Sequence, residues 1–133
     1  MLPRHAPKRL IHIAPRVLLW MPSFLWAGVI FWLSSIPGTD LPPTGFSSLA
    51  HVVVYLILSA LIFIALRPGA DRASAICLAI LLASAYGVTD EIHQSFVPNR
   101  TPDIADWGFD TIGAAIGAWL GRLVDERLAA RKK

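Results

Sequence analysis

Charge is scarce in this sequence. Only 16% of its 133 residues are Asp, Glu, Lys or Arg, against about 25% in an ordinary soluble domain. That scarcity, together with the apolar content, excludes an intrinsically disordered chain. Cysteine is nearly absent. Cys77 stands alone in an apolar run, so the chain has neither an internal disulfide nor a metal-binding Cys pair. Cys77 is expected to be a small buried apolar residue. No internal repeat, low-complexity tract or recognised metal-binding motif is present; Asp90, Glu91, Asp106, Asp110 and His51 offer oxygen and imidazole ligands to a divalent metal, but without a motif no metal or cofactor is expected. The first apolar run exceeds the core of a signal peptide, and no small-x-small cleavage site follows it. It is expected to be a retained transmembrane helix, with a kink at Pro22.

Apolar residues are abundant instead. They make up 55% of the chain, and the mean hydropathy is +0.56. A soluble domain of this size could not bury so much apolar surface. Four apolar stretches, 17–36, 47–66, 73–94 and 104–124, are each about 20 residues long, enough to cross ~30 Å of hydrocarbon as a helix. Between them lie Pro37, Gly38, Pro42, Pro43 and Gly45, then RPGADR at 67–72, then Pro98, Asn99 and Pro102. Thr101 and Asp103 are both suitable N-caps for the last helix. The expected architecture is a single all-α integral membrane domain, a bundle of four transmembrane helices.

The basic residues set the orientation. Arg4, Lys8, Arg9 and Arg16 precede the first span, and Arg67 and Arg72 lie between the second and third. Arg122, Arg127, Arg131, Lys132 and Lys133 close the chain. With four spans, eleven of the twelve basic residues share one side and Arg100 alone falls on the other. The positive-inside rule then predicts that both termini are cytoplasmic. The same bias accounts for the pI near 9.5 without nucleic acid as a partner. The expected partner is the lipid bilayer.

The remaining ionisable groups gather toward the outer side. His51 and Tyr55 fall in the outer half of the second span. Asp90, Glu91, His93 and Gln94 end the third, Arg100 and Asp103 lie in the loop, and Asp106 and Asp110 open the fourth. Charge within a bilayer is costly, so such groups face a bundle interior or a wet cavity. Asp106, Asp110, Gly113, Gly117 and Gly121 fall within about an 80° arc of one helix, and Ala83, Gly87, Asp90 and Gln94 within about 60° of another. Glycine stripes allow close helix approach. The faces that pack are therefore expected to carry the polar groups, around an outward-facing pocket. Plainer roles exist for each: helix N-terminal charge for Asp103 and Asp106, core packing for Tyr55, an interfacial position for His93, and a loop-holding ion pair for Arg100. Trp20, Trp26, Trp32, Trp107 and Trp119 are expected to face lipid or the interface.

The run TDEIHQSFVPNRTPDIADWGFDTIGAAIGAWLG at 89–121 resembles the signature of VanZ-like membrane proteins. That pattern is matched by Asp90, Glu91 and Gln94, then Phe96, Pro98 and Arg100, then Asp106 and Asp110, then Gly113 and Gly117. An upstream His-x-x-x-Tyr is matched by His51 and Tyr55. Ser48 stands where the family often has Lys, Val52 where an aromatic is usual, and Asp110 where Asn is common. The resemblance implies a bacterial cytoplasmic (inner) membrane location and a link to teicoplanin resistance. The expected function is binding or modulation of a lipid-linked or anionic amphiphilic envelope ligand by His51, Tyr55, Asp90, Glu91, Gln94, Arg100, Asp106 and Asp110. The alternative is an intramembrane hydrolase or transferase with Glu91, Asp106 and His51 as acid–base candidates. Proton-coupled transport finds no polar stepping stones in the inner halves of the spans.

Overall fold

A computed structural model describes residues 16–40 and 47–131. The expected breakers Pro42, Pro43 and Gly45, and the basic residues Arg4, Lys8, Arg9, Lys132 and Lys133, lie outside the described residues. Four α-helices follow one another: α1 (Met21–Ser34), α2 (Ser47–Leu66), α3 (Arg72–Gln94) and α4 (Ile104–Ala130). A short 3-10 turn at Gly38–Asp40 follows α1. Three helical stretches, Arg16–Ser34, Ser48–Leu66 and Arg72–Gln94, are long and apolar enough to cross a membrane. α4 is longer still, at 27 residues, but carries Asp106, Asp110, Arg122, Asp125, Glu126 and Arg127.

The expected boundaries hold closely for α2 and α3. α4 runs beyond the expected end at 124. The first stretch is interrupted rather than bent in its middle: residues 19–20 form a turn, and α1 begins at Met21 with Pro22 in its first turn. Proline has no N–H to donate, and its ring clashes with the carbonyl four residues earlier, so a helix tolerates it at its start.

α2 is the centre of the bundle, and its most extensive interface is with α4. Small residues make that interface. A Cβ at Gly113 or Gly117 would strike the backbone carbonyl of Val52 or Leu56, and one at Gly121 would press the Phe63 ring. Backbone-to-backbone packing of this kind replaces the hydrophobic effect, which does not drive helices together within lipid. On α3 the buried positions are Ala75, Ala79, Ala83, Gly87, Asp90 and Gln94, a stripe of small residues ending in polar ones. Tyr55, Leu58, Ile62, Phe63 and Ile30 fill the rest of the core. The large apolar side chains Phe24, Leu25, Trp32, Leu81, Ile112 and Trp119 point outward. A water-soluble surface does not carry so much contiguous apolar area; a bilayer surface does.

Two expectations about individual residues are corrected. Cys77 is exposed, because it sits two residues from Ala75 and Ala79 and so on the opposite face of α3. Trp26 is half-buried, and its indole N–H donates to the Val54 carbonyl at 2.8 Å, tying α1 to α2. Trp20 also packs against the core.

The two ends of the bundle differ. At one end Arg67 and Arg72 both donate to Asp125 Oδ2, at 3.1 and 2.9 Å, and Arg16 donates to the Pro68 carbonyl. There Asp71 caps α3, accepting from the Ser74 N–H at 3.0 Å. At the other end Gly38 N–H donates to the Pro98 carbonyl at 3.0 Å, joining the α1–α2 connection to the α3–α4 loop. Any side chain at position 38 would collide with Asn99, which itself adopts a positive φ of 57°. Asp103 caps α4 by accepting from the Ala105 N–H at 2.8 Å, as its position before the helix predicts.

Candidate functional site

The end that holds Asn99 also holds the buried ionisable groups His51, Asp90 and Asp110. α2 turns His51 and Tyr55, one helical turn apart, toward α3 and α4. α4 turns Asp106 and Asp110, also one turn apart, toward α2. His51 Nδ1 lies 2.8 Å from Asp110 Oδ1, and its other nitrogen, Nε2, lies 3.8 Å from Asp106 Oδ2. Each ring nitrogen therefore faces a carboxylate. The Asp110 side chain has no solvent exposure, while that of Asp106 is 21% exposed. Gly87 on α3 makes this possible: a Cβ there would come within 2.8 Å of Asp110 Oδ2.

Glu91 completes the group from α3. Its Oε2 accepts the Asp103 backbone N–H at 2.8 Å, which pins the start of α4 to the end of α3. One donor atom from each of His51, Glu91 and Asp110 lies within 4.8 Å of the others. Asp110 Oδ2, Glu91 Oε1 and the Tyr55 hydroxyl are buried and have no hydrogen-bond partner among the described residues. Buried polar atoms are nearly always paired, so unpaired oxygens on both Glu91 and Asp110 of this group are unusual. An imidazole flanked by carboxylates can hold or pass a proton, and one nitrogen with several carboxylate oxygens can ligate a divalent cation.

Asp90, Gln94 and Arg100 form a second, adjoining chain. The buried Gln94 amide donates to Asp90 Oδ2 at 3.2 Å. Arg100 donates to the carbonyls of Ile36 at 3.2 Å and Leu33 at 3.3 Å, and approaches Gln94 Oε1 at 3.5 Å. Leu33 is in the last turn of α1, its carbonyl also accepting the Ile36 N–H at 3.2 Å, and Ile36 lies just beyond that helix. The guanidinium thus closes α1 against the loop, and its hydrogen bonds go to Leu33, Ile36 and Gln94 rather than to the His51 group. His93 is stacked on Phe31, with ring centroids 4.3 Å apart, and lies 3.0 Å from Ser35 Oγ.

A groove of about 310 Å³ runs beside Glu91, between α3 and α4. Val88, Glu91, Pro102, Asp103, Ile104 and Trp107 line it. The apolar members were not foreseen as site residues. A signal for them exists in the i, i+3 pairs Val88–Glu91 and Ile104–Trp107, which place each pair on one helical face. Trp107 is half exposed, with its indole N–H donating to the Ser84 carbonyl at 3.1 Å.

The VanZ/LLP1 family matches this chain over residues 12–125. The chain belongs to that family. No curated protein and no solved structure is significantly similar to it. Membership and the three long apolar stretches together make it a multi-pass membrane protein in contact with a lipid bilayer. In this VanZ/LLP1 member the segment 89–121 has two structural uses. Glu91, Asp106 and Asp110 meet His51, whereas Gln94 and Arg100 brace the end of α1. Asp110 places a carboxylate opposite the His51 ring at the deepest point of the group.

Proposed function

We propose that this VanZ/LLP1 protein binds a lipid-linked or amphiphilic envelope ligand at the outer surface of the bacterial cytoplasmic membrane. The observation that carries this reading is the groove between α3 and α4. Its walls are largely apolar, and of its two acidic members, Glu91 and Asp103, Glu91 groups with His51 and the buried Asp110. A hydrocarbon chain fits the first surface and a polar head group the second. In this reading α4 is the fourth span and both termini are cytoplasmic. The clustering of Arg16, Arg67, Arg72, Arg122, Arg127 and Arg131 at the end remote from His51 supports that orientation. The whole chain then acts as one membrane domain.

Native mass spectrometry of the protein released from mild detergent tests the binding reading. An amphiphile is expected to remain bound to the wild type and to be lost on Trp107→Ala and Glu91→Gln. Retention of the same species by both variants contradicts it. A second reading, an intramembrane hydrolase or transferase, draws on the His51–Asp110 contact of 2.8 Å, the arrangement of an imidazole base with an orienting carboxylate. Conversion of the co-purified amphiphile to a head-group-modified product on incubation distinguishes it from binding alone.

A further inference from the structure

We propose that His51, Glu91 and Asp110 form a binding site for a divalent first-row transition-metal cation, of the Zn²⁺ or Mn²⁺ type. The proposal does not depend on the amphiphile reading. It rests first on geometry: the three donor atoms come from three different helices and lie within 4.8 Å of one another. Ligands bonded to one ion at about 2.0–2.2 Å lie within about 4 Å of each other, so binding requires a contraction of only about 1 Å. Rotamer changes of a Glu and an Asp supply that.

The second, independent ground is the pair of unpartnered oxygens. Asp110 is fully buried, and its Oδ1 is engaged by His51; among the described residues Oδ2 has nothing to accept from. Glu91 Oε1 is in the same condition, while its Oε2 is held by the Asp103 N–H. Helix packing explains neither free oxygen. A cation between them satisfies both.

Charge points the same way. Glu91, Asp106 and Asp110 surround a single imidazole, and Arg100 is directed to backbone carbonyls instead. A divalent ion offsets that excess in a region where water cannot. The imidazole nitrogen selects among cations: Ca²⁺ and Mg²⁺ prefer oxygen-only ligands, whereas Zn²⁺ and Mn²⁺ accept mixed nitrogen and oxygen sets. Asp106 has a defined part in this site. With Nδ1 turned to the ion beside Asp110, the opposite nitrogen is left 3.8 Å from Asp106 Oδ2. A metal-bound histidine regularly donates its other N–H to a carboxylate, which fixes the ring. Asp106 is therefore a positioning residue here and not a ligand.

The ligand set explains why no motif announces the site. His51 and Asp110 are 59 residues apart in the chain, and no local spacing joins them.

The test uses the full chain in detergent, stripped with chelator and dialysed against Zn²⁺ or Mn²⁺, with bound metal counted by elemental analysis. One equivalent per chain is expected. Its affinity should fall at least tenfold in His51→Gln and in Glu91→Gln and stay unchanged in Asp125→Asn at the opposite end. Asp106→Asn should weaken binding by about 10–100-fold without changing the stoichiometry. Metal bound equally by wild type, His51→Gln and Glu91→Gln means surface adsorption and overturns the proposal, as does a wild type that binds none. If the variants do not fold, the wild type decides alone. Its bound Mn²⁺ must show coupling to a histidine nitrogen in pulsed electron paramagnetic resonance, and the lack of that coupling overturns the site.

Discussion

The two ends of the bundle treat charge in opposite ways. At the arginine end, Arg67 and Arg72 converge on Asp125, and Arg122 pairs with Glu126 at 2.8 Å one turn apart. These side chains are all partly exposed, and Asp125 and Glu126 each have an arginine. At the histidine end, Asp110 is fully buried, carboxylates outnumber cations, and several oxygens lack partners. Exposed pairs of the first kind contribute about 0–1 kcal/mol each and are easily replaced. Buried, under-satisfied groups of the second kind lower stability and persist where they serve a ligand. The difference supports the proposal that the histidine end, and not the arginine end, carries the function.

Gly117→Leu breaks the comparison outright. It forces a side chain into the Leu56 carbonyl, so α4 must leave α2 and both ends lose their register. Loss of a monodisperse folded species in size-exclusion chromatography is expected, from a strain of about 3 kcal/mol or more. Asp110→Ala against Asp125→Ala sharpens it. Removing Asp110 leaves His51 buried without its partner and is expected to cost about 2–3 kcal/mol in reversible unfolding. Removing Asp125 is expected to cost under about 1 kcal/mol, because Arg67 and Arg72 remain hydrated.

Arg100→Lys comes next. Lysine keeps the charge but cannot span the Leu33 and Ile36 carbonyls with a planar fork. A loss of about 1–2 kcal/mol is expected, with the ligand affinity little changed, since the guanidinium bonds backbone carbonyls and Gln94 rather than the His51 group. Thermal unfolding combined with ligand retention separates the two effects. An affinity loss at constant stability would return Arg100 to the binding site.

The smallest effect is a pH dependence at the arginine end. The hydrogen bond from Arg72 holds the Asp125 carboxyl below the ordinary aspartate range, opposed by desolvation and aided by the hydrogen bond from Arg67 and the charge of both arginines. A group depressed in the folded state adds stability above its unfolded pKa of about 3.9 and loses it as pH falls through the folded value. Wild type is therefore expected to lose slightly more stability than Asp125→Asn between pH 5 and pH 2, by less than about 1 kcal/mol after solvent screening. Equal slopes for the two proteins would remove Asp125 from the account.

Much of the fold is legible in the residues. α2 occupies the expected 47–66, and the Gly113–Gly117–Gly121 stripe is a packing face because only glycine admits the α2 carbonyls. Inside and outside are harder to read. A helix in lipid is apolar on both faces, so hydropathy does not separate core from surface; residue size does. Cys77 illustrates this, lying in an apolar run yet opposite the Ala75–Ala79–Ala83 stripe. The site is legible as a set of residues but not as a set of pairs. His51, Glu91, Asp106 and Asp110 are foreseen, and the His51–Asp110 contact is not, since it depends on the crossing of α2 and α4. Arg100 is foreseen as near the site, but its acceptors are backbone carbonyls of 33 and 36, which carry no side-chain signal. Trp26 similarly finds a backbone carbonyl that no pattern marks.

The central claim is that function resides in the His51 end and not in the arginine end. Its most direct measurement compares two isosteric variants of the full chain, Glu91→Gln and Asp125→Asn, in a cellular glycopeptide-susceptibility or envelope-stress assay, with melting temperatures recorded in parallel. The account predicts that Glu91→Gln abolishes the phenotype while melting within a few degrees of wild type, and that Asp125→Asn behaves as wild type in both respects. A Glu91→Gln protein with wild-type function, or an Asp125→Asn protein that is folded but inactive, would contradict it.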